Sequence, residues 1–228
     1  MRIPLTRYGW PQVAVFSGII LAAMIGSLIA GVLFWPKWIV YGTETILAIV
    51  LVWTLSFFRD PHRLSPLDTR SILAPADGRI TDIEFIDEEK HIGGPAVRIG
   101  IFLSIFNTHI NRAPCNVKVE KITYKKGWHK NAANSEAGRT NESNDLNLIR
   151  TDNPNDKLIV RQISGAIAHR IVCSAAEGQQ LSAGEKFGMI KFGSRTELYL
   201  PARDDTKCLV KTGDKVKAGL TVLLRYEK

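Results

Sequence analysis

The chain has 228 residues, 45% of them hydrophobic, with 30 Lys and Arg against 22 Asp and Glu for a net charge of +8. That length allows one sizeable domain with something left over, or two small ones. Three cysteines, Cys115, Cys173 and Cys208, are odd in number and far apart, which excludes a disulfide framework and fits a reducing compartment. There is no basic run with interleaved aromatics and no nucleic-acid motif, so the positive charge is not read as a nucleic-acid footprint.

The first 58 residues are apolar. Val13 to Trp35 carries no charge, and Trp38 to Phe58 carries only Glu44. At about 1.5 Å per residue, each run makes a helix long enough for a hydrocarbon core of roughly 30 Å. Both runs are apolar on every face, and a domain of this size has little to wrap around two buried core helices. A cleaved signal peptide fits poorly, because a second apolar run follows directly. The prediction is a transmembrane or membrane-embedded helical hairpin over residues 1–58, with helices at about 13–35 and 38–58. Arg2 and Arg7 precede the first helix and Arg59, His62 and Arg63 follow the second, which places both flanks on the cytoplasmic side of a cell membrane. Lys37, in the connecting loop, counts weakly against this orientation. Outside residues 1–58 there remain 27 basic residues against 21 acidic ones, as suits work at an anionic lipid surface.

From residue 59 the texture changes to short alternating segments broken by Gly and Pro. Strands are predicted at 96–106, 117–127, 157–165, 168–175, 185–193, 195–201 and 220–227. Strands this short and frequent indicate a mostly β domain over 59–228. "ILAPADGRITDI" and "LVKTGDKVKAGLTVLL" follow the strand pattern of barrel-sandwich-hybrid domains, a likeness of fold alone. Between Trp128 and Lys157 the chain is crowded with Asn, Asp, Ser and Gly and reads as a long loop with at most a short helical turn.

Gly193-Ser194 interrupts an alternating pattern in "KFGSRTELYLP". Taken alone the pair is an ordinary turn. Between two well-specified strands, however, it would hold Ser194 rigidly, with glycine free to take backbone angles other residues resist. A serine nucleophile needs a base. Among the five histidines, His109 in "IFLSIFNTHINRAP" lies just beyond an apolar strand, and Asp77 in "LAPADGRI" opens another. His62, His91, His129 and His169 have no comparable setting, and no ligand set for a metal is spaced along the chain.

Four segments in order, "FFRDPHR", "APADG", "FNTHINRAP" and "FGSRTELYLP", resemble the phosphatidylserine decarboxylase proenzymes of the short, archaeal-type class. The resemblance covers residues 57 to 201 by motif, and the apolar amino terminus and final hairpin extend it. It implies autocatalytic cleavage between Gly193 and Ser194, giving a β chain of 1–193 and an α chain of 194–228 that begins with a pyruvoyl group made from Ser194. That covalent cofactor would serve decarboxylation of phosphatidylserine to phosphatidylethanolamine in an anionic membrane. His109 would take the Ser194 proton, and later return one to the substrate, while Asp77 orients the imidazole. Arg112 stands where larger members carry a second histidine, and either binds the substrate carboxylate or phosphate or makes a structural ion pair. Lys191 and Arg195 are further phosphate candidates by charge and proximity. "TNESN" resembles a family "NER" element with Ser143 in place of the arginine, so it is assigned no catalytic role. Oligomeric state stays open, a homo-oligomer included. Two other readings remain: a membrane-anchored serine hydrolase using Ser194, His109 and Asp77 without self-cleavage, and a carrier-like binding module. The second lacks the lysine such modules present at a hairpin tip.

Overall fold

The computed structural model describes residues 5–66, 68–131, 137–166, 170–191 and 193–227; His169 and Phe192 lie outside them. The chain divides into two compact units, residues 1–61 and 62–228.

In the first unit, α1 spans Trp10–Leu33 and α2 spans Lys37–Phe57. Pro11 opens α1, where its missing N–H costs no hydrogen bond, and Pro36 caps α2. The helices approach closely at Gly31, where an added Cβ would stand 2.4 Å from Val40 Cγ2. Away from that contact the apolar side chains face outward, with Ile19 63% and Val32 86% exposed. Both helices are long and apolar enough to cross a membrane. A surface of this kind is stable in lipid and costly in water.

The second unit is the mostly β domain expected, and its described residues hold fourteen strands. They are β1 (Ser71–Leu73), β2 (Gly78–Glu88), β3 (Gly94–Leu103), β4 (Ile110–Arg112), β5 (Val117–Lys125), β6 (Ser143–Arg150), β7 (Lys157–Ile163), β8 (Ile171–Cys173), β9 (Gln180–Leu181), β10 (Lys186–Ile190), β11 (Ser194–Pro201), β12 (Thr206–Cys208), β13 (Lys215–Val216) and β14 (Val222–Tyr226). Eight form one sheet in the order β13-β2-β3-β11-β7-β6-β5-β9, and two three-stranded sheets, β1-β14-β12 and β4-β10-β8, complete the domain. All named pairs are antiparallel.

The region read as one long loop needs correcting. It holds a four-residue helical turn, α3 (Ala137–Thr140), and then a full strand, β6. Asn144, Leu146 and Leu148 of β6 alternate into the interior, while its Asn and Asp residues masked the period in the sequence.

β11 is central and buried on both faces. Its inward face carries Ser194, Thr196 and Leu198 toward the core cluster that includes Ile99, Ile101, Val160 and Leu146. Its other face carries Arg195, Glu197 and Tyr199, all buried in a network of charges. Arg195 donates to Glu197 (2.8 Å), Thr81 (2.6 Å) and both oxygens of Asp82 (2.7 Å), and the Tyr199 hydroxyl donates to Glu197. Arg98 adds Asp82 and Glu84, and Arg161 joins Tyr199 to Asp145. Burial alone would raise the Asp82 carboxyl, but the hydrogen bonds and charge of Arg195 outweigh it and hold Asp82 below the usual carboxylate range. The Tyr199 hydroxyl is pushed up, by burial first and then by the Glu197 charge. Gly100 makes room for this arrangement: a Cβ there would lie 1.9 Å from Arg195 Nη2.

Burial pushes the Cys115 thiol up to about 12, whereas Cys208 is exposed. In the folded protein at mildly alkaline pH, iodoacetamide is expected to label Cys208 and leave Cys115 unmodified until denaturant is added, as read by peptide mass.

Candidate active site

Three of the four motif segments converge on Asn111. Its side-chain amide donates to Thr196 Oγ1 at 3.0 Å and to the Pro75 carbonyl at 3.5 Å, while its oxygen accepts from Gln162 at 2.9 Å. Asn144 continues the chain by donating to Gln162 at 3.0 Å. A fully buried polar row of this kind is stable because every member has a partner. It ties the turn of Asp77, the strand after His109 and the strand of Ser194 into one place. A lone Asn in "HINRAP" gave no sequence signal of this.

His109 sits between β3 and β4, its backbone carbonyl accepting at 3.2 Å from the amide of Ile190, three residues before Gly193. The ring is fully buried, and Nδ1 lies 3.0 Å from the Asn107 carbonyl. A carbonyl only accepts, so Nδ1 must carry the hydrogen, and in the neutral ring Nε2 is then the basic nitrogen.

Ser194 opens β11 opposite Leu103 of β3. Its hydroxyl is buried and has no hydrogen-bond partner among the described residues. Gly193 has φ of 65°, the left-handed region, and an added Cβ would meet nothing within 4 Å. Backbone angle, not crowding, is what calls for glycine.

Asp77 is buried, and its oxygens are taken by Arg63 in a two-pronged ion pair (2.5 and 2.7 Å) and by the Ala218 amide at 2.8 Å. The Asn107 carbonyl holds the His109 ring at Nδ1, and Asp77 anchors the turn that Asn111 ties to the strand after His109. Arg63, in the "FFRDPHR" motif, reads in the sequence only as a basic flank of the apolar hairpin. A fork geometry matched to a carboxylate explains why arginine stands there.

The three cations expected to meet a headgroup separate in the structure. Arg195 is a correction: its guanidinium is fully buried and committed to Asp82, Glu197 and Thr81, so it presents no exposed donor to a phosphate. Arg112 is buried with Nη1 donating to the Gly184 carbonyl at 2.9 Å. Lys191 is buried three residues before Ser194, and its amine is held below the ordinary lysine range by burial and then by the charge of Arg170. Of the histidines set aside in the sequence, His129 has Nδ1 3.0 Å from Ser164 Oγ and Nε2 3.5 Å from Glu142.

The Ser194 hydroxyl is thus buried behind a left-handed glycine, and the His109 ring is buried as well. The family model for phosphatidylserine decarboxylase matches residues 50–224. The chain belongs to the phosphatidylserine decarboxylase family. A phosphatidylserine decarboxylase proenzyme of Azorhizobium caulinodans is 40% identical over 99% of this chain and 90% of its own length. One from Carboxydothermus hydrogenoformans is 38% identical over the whole of both chains, and one from Desulfotalea psychrophila 42% over 78% of this chain and 81% of its own.

Substituting Arg63→Met leaves the buried Asp77 carboxylate without its counter-charge and is expected to destabilise the domain by roughly 3–5 kcal/mol. The double change Arg63→Met/Asp77→Leu is expected to recover much of that, as measured by thermal unfolding.

Proposed function

We propose that this decarboxylase cleaves its own backbone between Gly193 and Ser194 and then, as a two-chain enzyme, converts phosphatidylserine to phosphatidylethanolamine and CO2. The observation that carries the reading is the Ser194 hydroxyl, buried without a hydrogen bond directly behind Gly193. Leaving such a group unsatisfied costs about 1–3 kcal/mol, which an alanine would avoid, so stability does not explain the serine. The shared name "proenzyme" among the relatives supports the same reading.

In the first step Ser194 Oγ bonds to the Gly193 carbonyl carbon as its proton passes to His109 Nε2. Breaking the Gly193 carbon–nitrogen bond leaves an ester, and the proton goes to the freed amine of residue 194. Loss of the residue 194 Cα proton then breaks the Cβ–O bond and releases residues 1–193 with a carboxylate at Gly193. The enamine left at 194 takes up water and loses ammonia, which gives a pyruvoyl group.

The surroundings of residue 194 fit that group. Arg195 to Tyr199 are paired to β3 on one side and β7 on the other, so the new terminus of chain 194–228 stays held after the cut. When present, the ketone supplies a sink for the electrons left as CO2 departs. His109 would supply the proton to the substrate Cα from Nε2. Lys191, three residues before Ser194, and Arg112 are the candidates for the headgroup carboxylate or phosphate. Residues 1–58 would anchor the enzyme, with 59–228 on the cytoplasmic side where both basic flanks lie.

On denaturing gels the wild type is expected to run as two chains, and Ser194→Ala as one chain that releases no CO2 from phosphatidylserine. His109→Ala is expected to slow the splitting by about 10²-fold or more. A wild type that stays intact and hydrolyses esters would instead support a serine hydrolase.

A further inference from the structure

The antiparallel register sorts the connections of the large sheet into two ends. At the end that begins with Ser194 lie the connections β3–β4, β5–β6 and β7–β8 and the approach to β11. At the far end lie the β2–β3 hairpin, the β6–β7 turn and the exit from β11.

The two ends differ in charge. Among the described residues, the exposed charged side chains of the Ser194 end are Lys125, Lys126, Lys130, Arg139 and Arg170, all basic. Those of the far end are mainly acidic, with Asp87, Glu89, Asp152 and Asp204 exposed alongside Lys90. The Ser194 end also presents two large rings to solvent. Trp128, between Lys126 and Lys130, is 68% exposed, and Phe106, in the connection that carries His109, is 70% exposed.

We propose that this end of the catalytic unit docks directly on an anionic phospholipid bilayer, with Trp128 and Phe106 entering the interface and the basic rim meeting the headgroups. Aromatic side chains favour the boundary between headgroup and acyl chain, and basic residues around them gain from an anionic surface. The acidic far end would be repelled by the same surface, so the charge pattern selects one orientation. Docking in that orientation would bring headgroups to residue 194 without lifting a lipid fully from the membrane. A second protein copy fits less well, because the same basic rim would meet itself across a two-fold contact.

The proposal rests on the decarboxylase reading above, and a paired assay separates them. Full-length processed protein is given either phosphatidylserine in phosphatidylcholine vesicles containing phosphatidylglycerol, or a short-chain phosphatidylserine below its micelle concentration, and CO2 is measured. Each basic residue at an anionic surface is worth a factor of roughly five. Lys126→Glu/Lys130→Glu is therefore expected to raise the apparent KM in vesicles at least tenfold, and Trp128→Ala severalfold. Activity on the short-chain substrate should be unchanged, and high salt should reproduce the vesicle defect in the wild type. Unchanged vesicle kinetics in both variants would overturn the proposal, as would equal losses on both substrates. A changed oligomeric mass with vesicle activity intact would make the face a protein interface and overturn it too. A wild type inactive on both substrates would overturn the decarboxylase reading itself.

Discussion

The structure of the β-rich unit turns on the buried ion network around Arg195. This guanidinium has no solvent exposure and reaches Asp82, Thr81 and Glu197. Its neighbours Arg98 and Arg161 extend the network to Glu84 and Asp145. Buried charges are costly unless each finds its partner, so the network tolerates little shift in register. A one-residue slip of β11 would turn Arg195 and Glu197 into the apolar core and Ser194 out of it. The network thus locates residue 194, although none of its members is assigned to the chemistry.

On the opposite face, a neutral hydrogen-bonded row does the complementary job. Asn144, Gln162, Asn111 and Thr196 link four strands at the level just inside Ser194. Through Asn111 the row also reaches the Pro75 carbonyl, two residues before Asp77. Charges on one side and amides on the other leave the start of β11 fixed from both faces. That rigidity suits a reaction between a side chain and its own backbone, in which a small displacement of the attacking oxygen costs rate. It also suits the proposed cleavage product, since pairing to β3 and β7 is independent of the bond at 193–194.

Much of the fold was legible because alternation is a local property. The strands at 117–125, 157–163, 194–201 and 222–226 lie where their β-branched and apolar periods put them. Strand 143–150 was not, because four of its residues are Asn, Asp or Ser, types that ordinarily signal loops, and two of these, Asn144 and Ser143, are buried. Within the site, Ser194 stood out through its glycine and its flanking strands. Arg63 and Asn111 did not, because their partners, Asp77, Thr196 and Gln162, are distant in sequence. Arg195 was misread for the same reason: next to Ser194 it looked available, and only the fold brings Asp82 to it.

The central claim is that residue 194 ends as a ketone held at the tip of a fixed strand. Its most direct test is the intact mass of the purified protein's smaller chain, before and after borohydride. The account expects a chain of residues 194–228 whose first residue is pyruvoyl, with no free amine and a mass raised by reduction. A smaller chain that retains an ordinary serine terminus, or a protein that remains one chain while decarboxylating phosphatidylserine, would contradict it.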